Sequence, residues 1–407
     1  MNSSISRKVA LCALLSTASL CASVSLSFAQ THPSANTSKS FGPDACGPAD
    51  PAYIHTANET GGIPLFLQRS EAAKSFHLVR ESTRNNMATV FWSTGMLDGT
   101  TQMIRIPVDS ATRRITFAFS VDTKGGALKL TQPSGGTITE PSADNEITEL
   151  NCGRIVTVVS PEAGEWRAEI TGTGRFWMEV QAQSDIYFVG VEFVEKGGRP
   201  AHEGLFRIQG QPLAGSSAML QISVSAKATQ SAEFYLVTEQ AGPIQKLQMH
   251  AVNSDPEIAE FMGSVDLPSV PFRVAVSGRD LSGKHYQRFF SNLFHAESVE
   301  VSAKPEFDEL SPGSTRTIGF SVRNIGVPRT FNITVTDSHR FISEVEPKQL
   351  MLGAGESGTV LVHVTVPADA APGRGEDVVM VAASTAGPPT SNSSVTHFLV
   401  SSSENRP

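Results

Sequence analysis

The chain has 407 residues, 40% of them hydrophobic, with a formal charge of −8 at pH 7. That length exceeds what one hydrophobic core serves and implies two or three domains. The acidic balance argues against nucleic acid, which needs a basic face, and no apolar run beyond the N-terminal segment approaches the roughly 20 residues that span a bilayer.

Residues 1–29 read as a secretory signal peptide. Arg7 and Lys8 precede an apolar stretch from Val9 to about Leu26, and Ser27-Phe28-Ala29 supplies a small-x-small cleavage site. Cys12 and Cys21 follow Leu11 and Leu20 rather than the small residue a lipoprotein signal needs. The expected location is therefore outside the cytoplasm: secreted, periplasmic or on the extracellular surface. Of 4 cysteines, Cys46 and Cys152 remain after the signal, and in an oxidising compartment they are expected to form a disulfide.

Residues 30–60, rich in Pro, Ser, Gly and Asn, read as a low-complexity leader. Residues 61–102 form a strand-helix element, with a short strand around Leu65 to Leu67 and a helix N-capped by Ser70 that carries Phe76 and Val79 on one face. Beyond about residue 103 the pattern has period two: Ile115, Phe117, Phe119 and Val121 alternate with Thr116, Ala118, Ser120 and Asp122. Turn clusters at 124–126, 134–136, 196–198 and 282–284 separate such runs, and alternation pauses near Lys196 to Pro200 and near Glu297 to Pro305. The expected fold class is all-β, tandem sandwiches behind a short N-terminal helix, over 103–196, 197–297 and 298–402. In the last of these the rows Ile318/Phe320/Val322 and Val360/Val362/Val364 supply a core.

Two tryptophans, eleven positions apart, separate on strand periodicity. Trp166 shares a face with Ala168 and Ile170, against Arg167, Glu169 and Thr171, and belongs in the core. Phe176, Met178, Val180 and Ala182 form the next apolar row, which turns Trp177 outward beside Glu179 and Gln181. A tryptophan between carboxylate and amide side chains suits sugar stacking; packing against a neighbouring domain or the N-terminal helix is the stronger alternative. Trp92, next to Val90 and Phe91, seals the junction between helix and first sandwich.

Catalytic patterns fail on inspection. Gly355-Glu356-Ser357-Gly358-Thr359 falls short of a nucleophile elbow at Thr359. Gly278 to Lys284 matches a phosphate loop until His285, but strand patterns on both sides make it a hairpin. The 10 histidines form no zinc motif, and Asp144-Asn145-Glu146 lacks the ladder of a calcium loop and reads as a solvated turn. Sequons at Asn58, Asn332 and Asn392 matter only in a glycosylating host.

IPVDSATRRITFAFSVD, LKLTQPSGG and VTVVSPEAGEWRAEITGTGRFWMEVQAQS together resemble the galactose-binding-like sandwich of the hemicentin and von Willebrand A domain-containing protein 7 family. ANETGGIPLFLQRSEAAKSFHLV is similar to the last strand and helix of the von Willebrand A domain that precedes it there. The adhesion motif D-x-S-x-S of that domain does not occur, so metal-dependent adhesion is not carried over. GLFRIQGQPL to PFRVAVSGRDLSGKHYQRFFS resembles the segment that follows the sandwich in that family. LSPGSTRTIGFSVRNIGVPRTFNITV and LMLGAGESGTVLVHVTVPADAAPG are similar to immunoglobulin-like modules of secreted bacterial enzymes and surface proteins. The resemblance implies jelly-roll and immunoglobulin-like sandwiches with no cofactor, apart from the structural calcium such sandwiches often hold. The expected role is non-catalytic: binding of an extracellular glycan, matrix or protein partner, or spacing of such a binder, with an accessory subunit or degenerate relative of a secreted hydrolase as the alternative.

Overall fold

The structure, a computed structural model, describes residues 46–47, 50–197, 203–225, 227–303 and 309–401. The signal peptide read over 1–29 and the start of the leader lie outside the described residues. The chain divides into two compact units. The described residues up to Val191, with Gln221–Gly263 and Phe272–Leu293, make one; Glu192–Leu220, Ser264–Pro271 and those from Phe294 onward make the other.

In the first unit a nine-stranded antiparallel sheet faces a four-stranded one. The large sheet runs Pro243–Lys246, Thr229–Val237, Arg273–Asp280, His285–Phe289, Met87–Asp98, Thr173–Ser184, Thr112–Val121, Gly153–Val159 and Asn145–Leu150. The small one runs Gln102–Val108, Gly164–Thr171, Ala127–Thr131 and Thr137–Ile138. Alternation explains the layer between them: Ile115, Phe117, Phe119, Val156, Met178 and Val180 meet Ile106, Leu128, Leu130, Trp166, Ala168 and Ile170, all buried. Phe117 and Trp166 set their ring centres 5.5 Å apart. Four strands of the large sheet come from 197–297, the stretch expected to form a second sandwich, and four others of that stretch, Gly204–Arg207, Ser217–Ser225, His250–Ser254 and Ile258–Asp266, join Phe188–Gly197 in a separate five-stranded sheet. Period two reports which face of a strand is apolar and is silent on which sheet the strand joins.

The GRDLSGK stretch is a hairpin between Arg273–Asp280 and His285–Phe289. The Asp280 carboxylate accepts from the backbone and hydroxyl of both Ser110 and Ser282 and from the Lys284 N–H. Despite burial, these bonds hold its pKa down at about 2. Asp109 and Arg288, both fully buried, pair at 2.7 Å, and the guanidinium also reaches the Ile186 carbonyl and the Ser184 hydroxyl.

In the second unit, Val299–Ala303, Thr315–Asn324, Ser357–Thr365 and Ile342–Glu346 form one sheet, and Glu309–Leu310, Ser391–Val400, Gly375–Ser384, Arg329–Asp337 and Gln349–Leu352 the other. Ile318, Phe320 and Val322 bury against Phe331, Val378, Met380 and Phe398, with Val360, Val362 and Val364 beside them. Side-chain amides and a carboxylate bind further segments to the last strand. Gln209 imitates a neighbouring strand, accepting from the Val395 N–H and donating to its carbonyl. Asn392 does the same to Gln211, and Glu297 accepts from the Thr390 hydroxyl and the Ser391 N–H.

The N-terminal element differs from expectation in three ways. Leu65 to Leu67 run extended without forming a strand. The helical stretch begins with a 3₁₀ segment, Arg69–Ser75, capped by Gln68, and continues as an α-helix over Phe76–Ser82. Glu71 shifts the cap from Ser70 by reaching back to the Gln68 N–H at 3.2 Å. Phe76 is exposed, and the buried face carries His77, Leu78 and Glu81. A further helix, Pro51–Thr60, occupies what reads as leader: Asp50 caps it through the Ala52 N–H, Pro51 opens it, and Gly61 ends it in the left-handed region at φ 73°.

Candidate functional site

Strand Thr173–Ser184 has two buried faces. Phe176, Met178, Val180 and Ala182 enter the sandwich core, while Trp177 and Glu179 lie on the opposite side at 1% and 3% exposure. The row is opposite the core, as alternation requires, but it is not open. Residues 50–83 cover it, and Phe66 closes on Trp177 with ring centres 5.5 Å apart. Ile63, Leu65, Phe66 and Leu78 pack with Trp92, Ala118, Ile155 and Trp177 into a second core on the outer face of the large sheet. Burial of the apolar side chains Ile63, Leu65, Phe66 and Leu78 drives the cover. The disulfide Cys46–Cys152, with Cα atoms 5.7 Å apart, anchors its start.

Each residue of the expected ligand row has an internal hydrogen-bond partner. The Trp177 indole donates to Asn58 Oδ1 at 3.0 Å. Gln181 donates to Glu179 at 2.7 Å and accepts from the Ser82 hydroxyl at 2.7 Å. Burial pushes the Glu179 carboxyl up to about 7, against the Gln181 hydrogen bond and the charge of Arg273. Arg273, from the stretch expected in a separate sandwich, lies 4.2 Å over the Trp92 ring and donates to the carbonyls of Asn58 and Ser291. Burial pulls it down to about 10, leaving it charged at neutral pH. Trp92 itself donates to the Gly62 carbonyl at 3.2 Å.

The helix end is fixed in the same manner. Glu81 is buried, and although desolvation opposes it, hydrogen bonds from Arg84 and Arg80 hold its carboxyl below the ordinary range. Arg114 approaches it from the sheet at 3.6 Å. His77 sets Nδ1 2.8 Å from Thr148 Oγ1 and Nε2 2.8 Å from Thr157 Oγ1; burial lowers its pKa, which favours the neutral ring. Thr157 and His77 form a hydroxyl–imidazole pair, the minimum of a nucleophile and base. Both are buried and Thr157 also bonds Thr116, so a substrate has no approach to the hydroxyl. Asp144 and Asn145 bond Ser142 and Glu146 pairs with Arg80. Among the described residues no three His, Cys, Asp or Glu side chains gather as a metal site.

Asp50-Pro51 and Gly61 were visible signals of the first helix. Asn58, Ser82 and Arg273, by contrast, meet the tryptophan face from distant parts of the chain, and no local pattern marks them.

This geometry defines a class: an all-β chain combining a galactose-binding-like sandwich, covered on its outer face, with an immunoglobulin-like sandwich. Residues 89–185 match the family model described as hemicentin galactose-binding domain-like, and residues 299–402 match that described as VWA7 Ig-like domain. Among curated proteins the chain is similar to mouse (Mus musculus) von Willebrand factor A domain-containing protein 7, at 26% identity over 59% of this chain and 28% of that one. The rat (Rattus norvegicus) protein of the same name is 25% identical over 52% of this chain and 25% of its own length. Mouse Hemicentin-1 is 22% identical over 66% of this chain and 5% of its own length. The chain thus spans about a quarter of the first two relatives and a small part of the third. The last domain, read as similar to immunoglobulin-like modules of secreted bacterial enzymes and surface proteins, is immunoglobulin-like and matches the model of the von Willebrand protein 7 type.

Proposed function

We propose that this is an exported, non-catalytic binding protein of the adhesion type, whose sandwiches hold an extracellular glycan, matrix or protein partner. The observation that carries this reading is the combination of two sandwich domains of the hemicentin and von Willebrand protein 7 type with interior polar groups, Glu179 and Arg273, engaged in holding the fold. A group committed to internal hydrogen bonds and shut off from solvent has no proton or lone pair to offer a substrate. The test is saturable binding of the purified protein to a glycan array and to immobilised matrix proteins, with ester and glycoside hydrolysis assayed in parallel. Binding without turnover is expected; turnover above blank, or no saturable binding on either surface, would overturn it. Export is tested separately, by fusing residues 1–29 to a reporter and fractionating the cells.

A further inference from the structure

We propose that the groove beside helix Phe76–Ser82 is a saccharide-binding site, with Phe76 as its stacking platform. This rests on the binding function proposed above and names the ligand class and place. The groove, about 480 Å³, is lined by Ala73, Lys74, Phe76, His77, Val79, Arg80, Glu146 and Thr148. That volume lies in the range of small-ligand sites.

Phe76 is 65% exposed at its edge, although the helix turns Leu78 and His77 inward. An aromatic ring of that size held in water offers a flat face to the C–H surface of a pyranose. The polar groups around it are held in place. Arg80 pairs with Glu146 across the groove and with Glu81 behind it. Lys74 is fixed by Glu71 at 3.3 Å and by the Glu149 carbonyl at 2.7 Å. Thr148 is locked by His77 Nδ1. Donors and acceptors thus stand ready beside the ring at little further ordering cost.

The balance of charge chooses the ligand class. Lys74 and Arg80 are each matched by a carboxylate, Glu71 and Glu146, so the groove calls neither for a polyanion nor for a free cation. Its apolar part, Phe76 with Ala73 and Val79, is one ring and two small side chains, too little for a protein interface core. A neutral ligand with one apolar face and a rim of hydroxyls fits both facts.

Saturation-transfer NMR with the methyl pyranosides of glucose, galactose, mannose and N-acetylglucosamine, alongside a glycan array, tests this on the whole chain. At least one sugar is expected to bind. Phe76→Ala should weaken it tenfold or more, Phe76→Trp should retain it, and Glu146→Gln should weaken it less. Leu281→Ala, at another exposed apolar position, should leave it unchanged, and all four variants should keep the wild-type melting temperature within a degree or two. Sugar binding that survives Phe76→Ala places the site elsewhere and overturns the proposal while leaving the adhesion reading intact. Saturable binding to matrix protein with no sugar bound overturns the ligand class and likewise spares that reading.

Discussion

Glu179 carries a carboxyl group under the N-terminal cover with a neutral amide as its hydrogen-bond partner. Its folded value of about 7 exceeds the ordinary 4.5, so the folded chain keeps this proton when the unfolded chain has lost it. The stability this group contributes is complete below about pH 4.5 and falls as pH rises through about 7, by roughly 3 kcal/mol. His77 acts in the opposite sense, because its lowered value makes protonation below pH 6.5 destabilising. The comparison that isolates the carboxyl is therefore wild type against Glu179→Gln, by urea denaturation from pH 4.5 to 8. The variant should gain on the wild type as pH rises; parallel curves would mean the carboxyl is solvated. Trp177→Ala should cost roughly 3–5 kcal/mol, as expected for a large buried side chain. Trp177→Phe keeps most of the volume but strands Asn58 Oδ1, at about 1–3 kcal/mol. The side of the strand that each of these residues occupies was legible in the sequence, because Phe176, Met178 and Val180 fix the register. Whether that side meets water was not: alternation tells facing, and covering is decided by a segment a hundred residues away.

At the scale of elements, the segment from Asp50 to Ser82 behaves as a strap laid across the outer face of the large sheet, and Cys46, shortly before it, is bonded to Cys152. The disulfide encloses a sequence separation of 106, for which chain entropy sets a ceiling near 4.7 kcal/mol. Replacing both cysteines by serine should lower stability by about 2–4 kcal/mol, and thiol titration of the denatured, unreduced protein should find no free thiol. Helix Pro51–Thr60 depends on its ends. Asp50→Ala should cost about 1 kcal/mol through the lost cap. Gly61→Ala should cost more, because a Cβ there would stand 2.4 Å from the Ser291 carbonyl oxygen on a backbone with positive φ. Circular dichroism at matched denaturant concentrations separates the two. The helix was hidden within the Pro- and Gly-rich composition of residues 30–60, although its Asp-Pro start and Gly stop are the ordinary punctuation of a helix.

At the scale of the molecule, the apolar cluster of the immunoglobulin-like domain draws all its buried members from residues 299–400. A fragment of residues 294–401 should therefore show its own cooperative thermal transition; a broad, non-cooperative melt would mean the cluster is not closed. It should also melt lower than the same domain in the intact chain, since it lacks the Gln209 and Gln211 contacts to Val395 and Asn392. In the full chain, Gln209→Ala should reproduce part of that loss, about 1–2 kcal/mol. The two-sheet pattern of this domain was legible because its inward rows are uninterrupted. The destination of strands between 197 and 297 was not, since strand pairing at long range leaves no period in the sequence. Arg273 shows the difficulty: nothing within PFRVAVS marks it, and it sits buried over Trp92, nearly two hundred residues earlier.

Asn392 is bonded on every side, its Nδ2 donating to the carbonyls of Gln211 and Val299 and its Oδ1 accepting from the N–H groups of Gln211 and Ser393. It also heads a sequon, Asn392-Ser393-Ser394, and that fixes which production hosts suit the protein. A transferase that meets the strand before it folds would attach sugar to the nitrogen whose two hydrogens the finished domain requires. Asn332, exposed on its own strand, tolerates the same modification. Secretion from a eukaryotic line should rise when N-glycosylation is inhibited, and mass spectrometry of the protein that escapes should find sugar at Asn332 and bare amide at Asn392. Folded, secreted chains carrying sugar at Asn392 would contradict the burial of that side chain.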